Sequence, residues 1–321
     1  GEVWNDAEGV GTILEGNVDV LDRFEEELRK TVRDEAPLAR IDSVELVQTN
    51  PALGSTDFVI TASRQGTAHT MVTPDAATCR ACAIEMFTPG NRRWRYAFTN
   101  CTHCGPRFTI TRSIPYDRPM TSMASFAMCS DCRHEYDDPA DRRFHAQPNA
   151  CPVCGPQLRL IDTKGSLIDC NDPVVAAAKM IKEGKIVAVK GLGGFHLAVD
   201  AHNANAVFRL RQRKAREAKP LAVMTTNAAS ARLWGDFNDI EIELLNSPAR
   251  PIVLARKTER CRNAFIHVAD DLNEIGLMTA YTPVHLLLFH ALAGLPSDPR
   301  WLDAASEDAL VMTSANPSGE P

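Results

Sequence analysis

Cys79-Arg80-Ala81-Cys82, followed by Cys101-Thr102-His103-Cys104-Gly105-Pro106, recurs at a constant offset of 50 as Cys129-Ser130-Asp131-Cys132 and Cys151-Pro152-Val153-Cys154-Gly155-Pro156. Eight of the ten cysteines thus fall into four Cys-x-x-Cys pairs, and Glu85/Glu135, Pro89/Pro139, Arg92/Arg142 and Arg93/Arg143 keep the same register. Each unit has the ligand spacing of a tetrahedral four-thiolate zinc site. A Cys-x-x-Cys turn presents two thiolates about one tetrahedral edge apart, and two such turns close the shell with no open position. Metal held this way is structural, and its binding, on the order of 10–16 kcal/mol per site, is folding free energy for a segment with little core of its own. The repeat favours pairing within each unit, Cys79/Cys82 with Cys101/Cys104 and Cys129/Cys132 with Cys151/Cys154. An interleaved pairing is the alternative. His103 is left out because four sulfurs complete the shell. A disulfide framework is the competing use of such an array, but a chain this long needs no staples and shows no secretion signal. Cys170 and Cys261 stand outside the repeat and are expected to be ordinary free thiols.

At 321 residues, with 44% hydrophobic and 24% charged, the chain has the length and composition of two or three globular domains. A net charge of −6 argues against a general nucleic-acid coat. The most apolar run, around Val284–Leu292, is interrupted by His285 and His290, so no membrane span is expected. Paired thiols imply a reducing, cytoplasmic compartment. The chain begins at Gly1 and closes on Ser318-Gly319-Glu320-Pro321, which reads as mid-loop, so a piece of something longer is expected. The arginines of the array (Arg92, Arg93, Arg95, Arg107, Arg112, Arg118, Arg142 and Arg143) are interleaved with Asp and Glu, which favours ion pairs and interdomain contacts over nucleic acid.

Residues 1–65 read as an α+β fragment. Gly1–Asn5 and Gly9–Gly16 alternate across a turn as a hairpin, and Asn17 or Asp19 caps a helix carrying Val20, Leu21, Phe24 and Leu28. Ile41–Val47 and Asp57–Ile60 are two further expected strands. The G-x-V-x-N run ending at Asn5 and Pro37-Leu38-Ala39-Arg40-Ile41-Asp42 resemble the acylphosphatase family. That resemblance implies that Asn5 positions an attacking water. It also places the phosphate-cradling arginine loop upstream of this segment, so no acylphosphatase activity is expected of the chain as supplied.

Residues 170–321 alternate as α/β. Asp172-Pro173 caps a helix that stops at Gly184, Ile186–Val189 is expected as a buried strand, and Asn203 caps the next helix. Pro220–Met224 is the next expected strand, and Leu310–Met312 is expected as a buried strand. The glycine-rich loop Lys190-Gly191-Leu192-Gly193-Gly194-Phe195-His196-Leu197 is by itself a weak phosphate-binding signal. It gains weight from Lys214, Arg216 and Lys219 one helix later, and from the polar loop Thr313–Gly319. An extended junction at Lys214-x-Arg216 would turn both cations to one side, opposite Ser314-x-Asn316 with the same alternate spacing.

Lys214-x-Arg216 with Ser314-x-Asn316 is similar to the K-x-R…S-x-N signature of the YrdC family. Over the whole chain, TNCTHCGPRFTI (99–110), PYDRPMTSMA (115–124), DDPADRRFHAQPNACPVCGP (137–156) and VKGLGGFHLAVDA (189–201) resemble the HypF family, the carbamoyltransferases of NiFe-hydrogenase maturation. The resemblance implies a partial acylphosphatase-like α+β domain (1–65), two four-cysteine zinc fingers (73–157) and a YrdC-like α/β domain (170–321). It also implies two structural zinc ions and carbamoyl-adenylate formation from ATP, with Mg²⁺, and carbamate derived from carbamoyl phosphate. The carbamoyl group would then pass to the partner protein HypE. Lys214 and Arg216 would stabilise phosphate charge, Ser314 and Asn316 would hydrogen-bond phosphate or the acyl group, and Lys190, His196 and Arg250 would complete the pocket. An RNA-binding module and a docking scaffold are the alternatives. RNA is disfavoured because no aromatic residue lies between Phe208 and Trp234 to stack on bases.

Overall fold

The computed structural model describes residues 1–321 except 6–8, 36–40, 42, 48–53, 62–71, 115, 217–218 and 317–321; for residue 5 and residues 30–35 only the backbone is described. Pro37–Arg40, Asp42 and the closing Ser318–Pro321 loop of the sequence analysis lie outside the described residues. The chain forms two compact units, residues 1–73 with 110–124, and residues 74–109 with 125–321. No described helix is long and apolar enough to cross a membrane.

In the first unit, β1 (Glu2–Asn5) and β2 (Val10–Ile13) are an antiparallel hairpin, and β3 (Val59–Ile60) lies parallel to β1 on its other side. Trp4 stands opposite Gly11, where an added Cβ would meet the indole at 2.3 Å, so only glycine admits the ring there. Of the two cap candidates, Asn17 starts α1 (Val18–Glu35): its Oδ1 accepts from the Asp19 amide at 3.2 Å. The strand expected at Ile41–Val47 does not form over 43–47. Alternation describes faces, whereas a strand also needs a partner edge, and no described residue supplies one.

In the second unit, α2 (Arg80–Met86) and α3 (Ser130–Asp137) each begin one residue after the first cysteine of a repeat. Arg95 and His145, again 50 apart, both adopt positive φ (54° and 51°), and their amides donate to Met86 and Tyr136. The repeat is thus a repeat of backbone path as well as of cysteines.

The C-terminal elements in order are α4 (Pro173–Lys182), β4 (Val187–Lys190), β5 (Phe195–Asp200), α5 (Ala204–Arg213), β6 (Val223–Thr225), α6 (Ala228–Ala231), β7 (Gly235–Asp236), α7 (Asp239–Asn246), β8 (Val253–Lys257), α8 (Glu259–Ala264), β9 (Glu274–Thr279), α9 (Pro283–Leu292) and β10 (Ala309–Ser314). The seven strands are ordered β4-β5-β10-β6-β9-β8-β7; β6 and β9 run parallel and the other pairs antiparallel. Central strands β6, β9 and β10 carry buried residues at successive positions because both faces are covered. Met224, Met278 and Met312 enter one cluster with α4 and α9, while Val223, Leu277 and Val311 enter the other with α5. The cap expectations hold: Asp172 accepts from the Val174 and Val175 amides at 2.8 and 3.0 Å, Gly184 has φ 79°, and Asn203 accepts from Ala206 at 3.0 Å. β4 corrects one expectation. It is an edge strand, so Val187 and Val189 are buried but Ala188 and Lys190 are exposed.

The first finger docks on this sheet domain. Phe87 is buried in the α4–α9 cluster, its ring centroid 4.6 Å from that of His290 and 4.9 Å from that of Trp301. Arg80 pairs with Asp303, and Arg95 reaches Asp172 at 2.8 Å. The Ala77 and Thr78 amides donate to the Pro248 and Tyr281 carbonyls at 2.8 and 2.9 Å.

Candidate functional site

The cysteines gather as Cys79/Cys82/Cys101/Cys104 and Cys129/Cys132/Cys151/Cys154, so pairing within each repeat holds and the interleaved alternative is excluded. Sulfur separations are 3.7, 3.7 and 3.4 Å in the first cluster and 3.8 and 3.8 Å in the second. A tetrahedron with Zn–S near 2.3 Å has edges of about 3.8 Å, so both donor sets fit zinc. Bound zinc supplies a closed four-thiolate node that ties two turns together. His103 contributes only its backbone amide, 3.3 Å from the Cys101 sulfur.

Arg92, Arg93, Arg95, Arg107, Arg142 and Arg143 of the array are engaged in structure. Arg93 and Arg143, 1% and 3% exposed, donate through Nε to the Ala150 and Asn100 carbonyls at 3.0 Å each. Arg92 and Arg93 pair with Glu135 at 2.7 and 2.5 Å, and Arg142 and Arg143 both pair with Glu85. Arg107 donates to the Cys101, Thr102 and Cys104 carbonyls at 2.5–3.1 Å. Burial opposes ionisation of Glu135, but hydrogen bonds from Arg93 and Arg92 outweigh it and lower its pKa to about 2 from an ordinary 4.5. A carboxyl so depressed contributes on the order of 3 kcal/mol that is fully present above pH ~4.5 and is lost as pH falls towards 2. Glu135→Gln is therefore expected to lower stability by roughly that amount at pH 7 and to flatten the pH dependence over that window. Urea denaturation at pH 7 with unchanged stability would contradict this.

Cys170 and Cys261 join neither cluster. Cys261 is buried in the α5-side core, and burial pushes its thiol up to about 11. Zinc content is expected to be unchanged in Cys170→Ser and Cys261→Ser; metal analysis showing the loss of one ion would refute the ligand assignment.

A second feature is a cavity of about 540 Å³ whose lining includes Arg216, Arg250, His196, Ser314, Thr313, Tyr281 and Asp75. Lys214-x-Arg216 and Ser314-x-Asn316 meet at its rim. The Lys214 ammonium donates to the Ser314 carbonyl and, at 3.0 Å, to the Asn316 carbonyl. Arg216 donates to Thr313 Oγ1 at 3.2 Å, and the Ser314 hydroxyl donates to Asn316 Oδ1. The junction is not extended as expected. Lys214 closes α5 in αR geometry and Ala215 is left-handed (φ 47°). The Ala215 and Arg216 amides return to the Gln212 and Arg211 carbonyls, a Schellman closure in which alanine stands where glycine is usual. That turn, rather than strand alternation, aims Arg216 at the sheet.

Burial lowers the pKa of Arg250, and burial followed by the neighbouring Arg216 lowers that of Lys214. Arg250 donates to Thr279 Oγ1 at 2.6 Å. The Nε–H groups of Arg216 and Arg250 are both buried without an acceptor among the described residues. His196 lies 3.4 Å from the Tyr281 hydroxyl, and burial lowers its pKa. Lys190 stands outside the cavity lining, its ammonium 5.4 Å from the Phe195 ring centre. The glycine loop is a closed hairpin turn: the Gly191 amide donates to Gly194 and the Gly194 amide to Leu192, so these two N–H groups are spent internally. Asn5 ends β1, its backbone in register with Val10.

Asp75 and Tyr281 also line the cavity, and neither carries a signal in the sequence that places it there. Asp75 Oδ1 accepts from the Arg107 amide at 2.6 Å and from Thr109, which holds the segment entering the first finger against the cavity. A lone carboxylate after Pro74 carries no spacing signal; the docking of that segment on the sheet is what brings it to the site.

A family model described as telomere recombination, that of the Sua5/YciO/YrdC proteins, matches residues 179–321, and one described as HypF finger matches 78–111 and 128–161. The chain is 50% identical to carbamoyltransferase HypF2 of Cupriavidus necator and 48% identical to carbamoyltransferase HypF of Rhizobium leguminosarum bv. viciae, over its full length and 40% and 39% of theirs. The crystal structure of full-length HypF in its phosphate- and nucleotide-bound form matches with a TM-score of 0.85 at 39% identity, covering all of this chain and 39% of that one. With both fingers, the sheet domain and full-length similarity in agreement, the chain is a homologue of the HypF carbamoyltransferases and spans about 40% of their length.

Proposed function

We propose that this chain supplies the ATP-dependent activation of carbamate in HypF-type carbamoyl transfer for NiFe-hydrogenase maturation, in the reducing cytoplasm that eight ligating thiols require. The observation that carries this reading is the pair of buried, acceptor-less guanidinium N–H groups of Arg216 and Arg250 at one cavity. Buried donors of this kind are rarely left unmatched, and a phosphate or carboxylate oxygen is their natural partner. A carbamate oxygen attacks the α-phosphorus of ATP, a new O–P bond forms, the bond to the bridging oxygen breaks, and pyrophosphate leaves with its electron pair. Arg216 and Lys214 offset the charge that builds on phosphate oxygens, and the Ser314 and Asn316 side chains supply neutral hydrogen bonds. Mg²⁺ accompanies the triphosphate. In the complete protein the carbamoyl group then passes to the C-terminal cysteine of HypE. The names of the relatives support this assignment. An RNA-binding role is weakened because Arg92, Arg93, Arg142 and Arg143 are engaged by Glu85 and Glu135. The test is carbamate-dependent exchange of labelled pyrophosphate into ATP, run with ammonium carbamate. Exchange that needs carbamate is expected; ATP binding without any exchange would refute carbamate activation.

A further inference from the structure

The exchange of arginines between the two fingers has a consequence for the metal. The Arg92 guanidinium, which belongs to the first repeat, donates to Cys132 Sγ at 3.1 Å and Cys129 Sγ at 3.5 Å in the second, and Arg93 reaches Cys132 at 3.6 Å. Arg142 of the second repeat donates to Cys82 Sγ at 3.2 Å and lies 4.0 Å from Cys79 Sγ in the first. Each of these arginines is clamped by the glutamate on the helix that starts at the thiolates it serves: Arg92 to Glu135 and Arg142 to Glu85, both at 2.7 Å. The backbone is crossed as well. The Thr102 amide donates to the Arg142 carbonyl at 3.1 Å, and Asn100 Nδ2 donates to the Pro148 carbonyl at 2.9 Å. The two fingers therefore form a self-complementary, pseudo-two-fold interface of the kind two copies of one subunit would make.

We propose that the two zinc sites are thermodynamically coupled, each completed by a positioning arginine held by the other, so that zinc enters and leaves the pair as a unit. Four thiolates on Zn²⁺ leave a net charge of about −2 at each node, and hydrogen bonds from a partly buried guanidinium offset that charge. Arg92 and Arg93 lie in the loop strung between Cys82 and Cys101, and Arg142 and Arg143 in the loop between Cys132 and Cys151. Loss of zinc from one cluster unties both ends of its loop and withdraws the cation from the other cluster's sulfurs. The glutamate clamps transmit the same loss, because Glu85 and Glu135 ride on α2 and α3, whose first turns are fixed by the cysteines. Coupling is reciprocal by necessity: whatever one ion contributes to the affinity of the second, the second contributes to the first. The inference rests on the fit of both clusters to zinc and is independent of the nucleotide cavity.

Native mass spectrometry of the reduced, zinc-loaded chain under graded chelation tests it directly. Independent, equivalent sites leave about half the molecules with one ion at half occupancy, whereas coupling depletes that species several-fold. A one-zinc species at or above the independent level overturns the proposal, and this measurement needs no variant. Arg142→Gln and Arg92→Gln locate the coupling. Each should weaken zinc retention about tenfold or more, the usual effect of losing an outer-shell partner. Cysteine alkylation read by peptide mass should accelerate in both clusters for either variant. Acceleration confined to Cys79, Cys82, Cys101 and Cys104 in Arg142→Gln would show that the arginines serve their sites separately. A zinc content below two in Glu85→Gln, whose side chain touches no sulfur, would support the clamp; unchanged content and release would count against it.

Discussion

Exhaustive chelation of the reduced chain is expected to release two zinc ions and to unfold residues 78–157. Each site contributes on the order of 10–16 kcal/mol of binding free energy that has no counterpart in the unfolded segment. What core the fingers have is small: the cluster peculiar to the first finger is Cys82, Cys101 and Cys104 themselves, packed against Cys79. Met86, which ends α2, and Phe87, which follows it, are buried instead in the cluster shared with α4 and α9. Unfolding of the finger should therefore remove Phe87 from Trp301 and change tryptophan fluorescence in step with metal release. Retention of native circular dichroism and protease resistance after both ions are gone, or a stoichiometry of one ion, would show that the nodes are dispensable. Cys82→Ser should reproduce the loss without a chelator.

The second large effect concerns ATP. Arg216→Ala should weaken ATP binding at least tenfold, since loss of one charged contact in a desolvated site costs roughly 2–5 kcal/mol. Lys214→Ala should do the same, with an added contribution from the loop that the ammonium anchors through the Ser314 and Asn316 carbonyls. Two positions on the same basic run are controls. Arg213 is exposed at the end of α5, and Arg209 is occupied with the Gly184 carbonyl. If calorimetry shows Arg213→Ala and Arg209→Ala weakening ATP as much as Arg216→Ala, the run acts as a diffuse patch and the cavity is not the nucleotide site.

The cysteine spacing was enough to group eight cysteines into two clusters of four, because a Cys-x-x-Cys turn and a duplicated register are local facts about short stretches of chain. The caps at Asp172 and Asn203 and the burial of β10 were legible for the same reason: the partner atoms lie within a few residues, or the apolar run records both faces at once. Tertiary structure decided what depended on distant partners. Whether residues 43–47 paired depended on a neighbouring edge, and whether Ala188 was buried depended on the position of β4 in the sheet. The side to which Lys214 and Arg216 point was set by a left-handed Ala215 that helix periodicity does not announce. Asp75 and Tyr281 are 206 positions apart and share a cavity only because the first finger docks on the sheet. The arginines show the division most clearly. Their residue types and 50-residue register were visible in the chain, but which carboxylate and which sulfur each would meet required the two repeats to fold against each other. A charged side chain finds its partner through desolvation and geometry across the fold, and neither is encoded in the residues beside it.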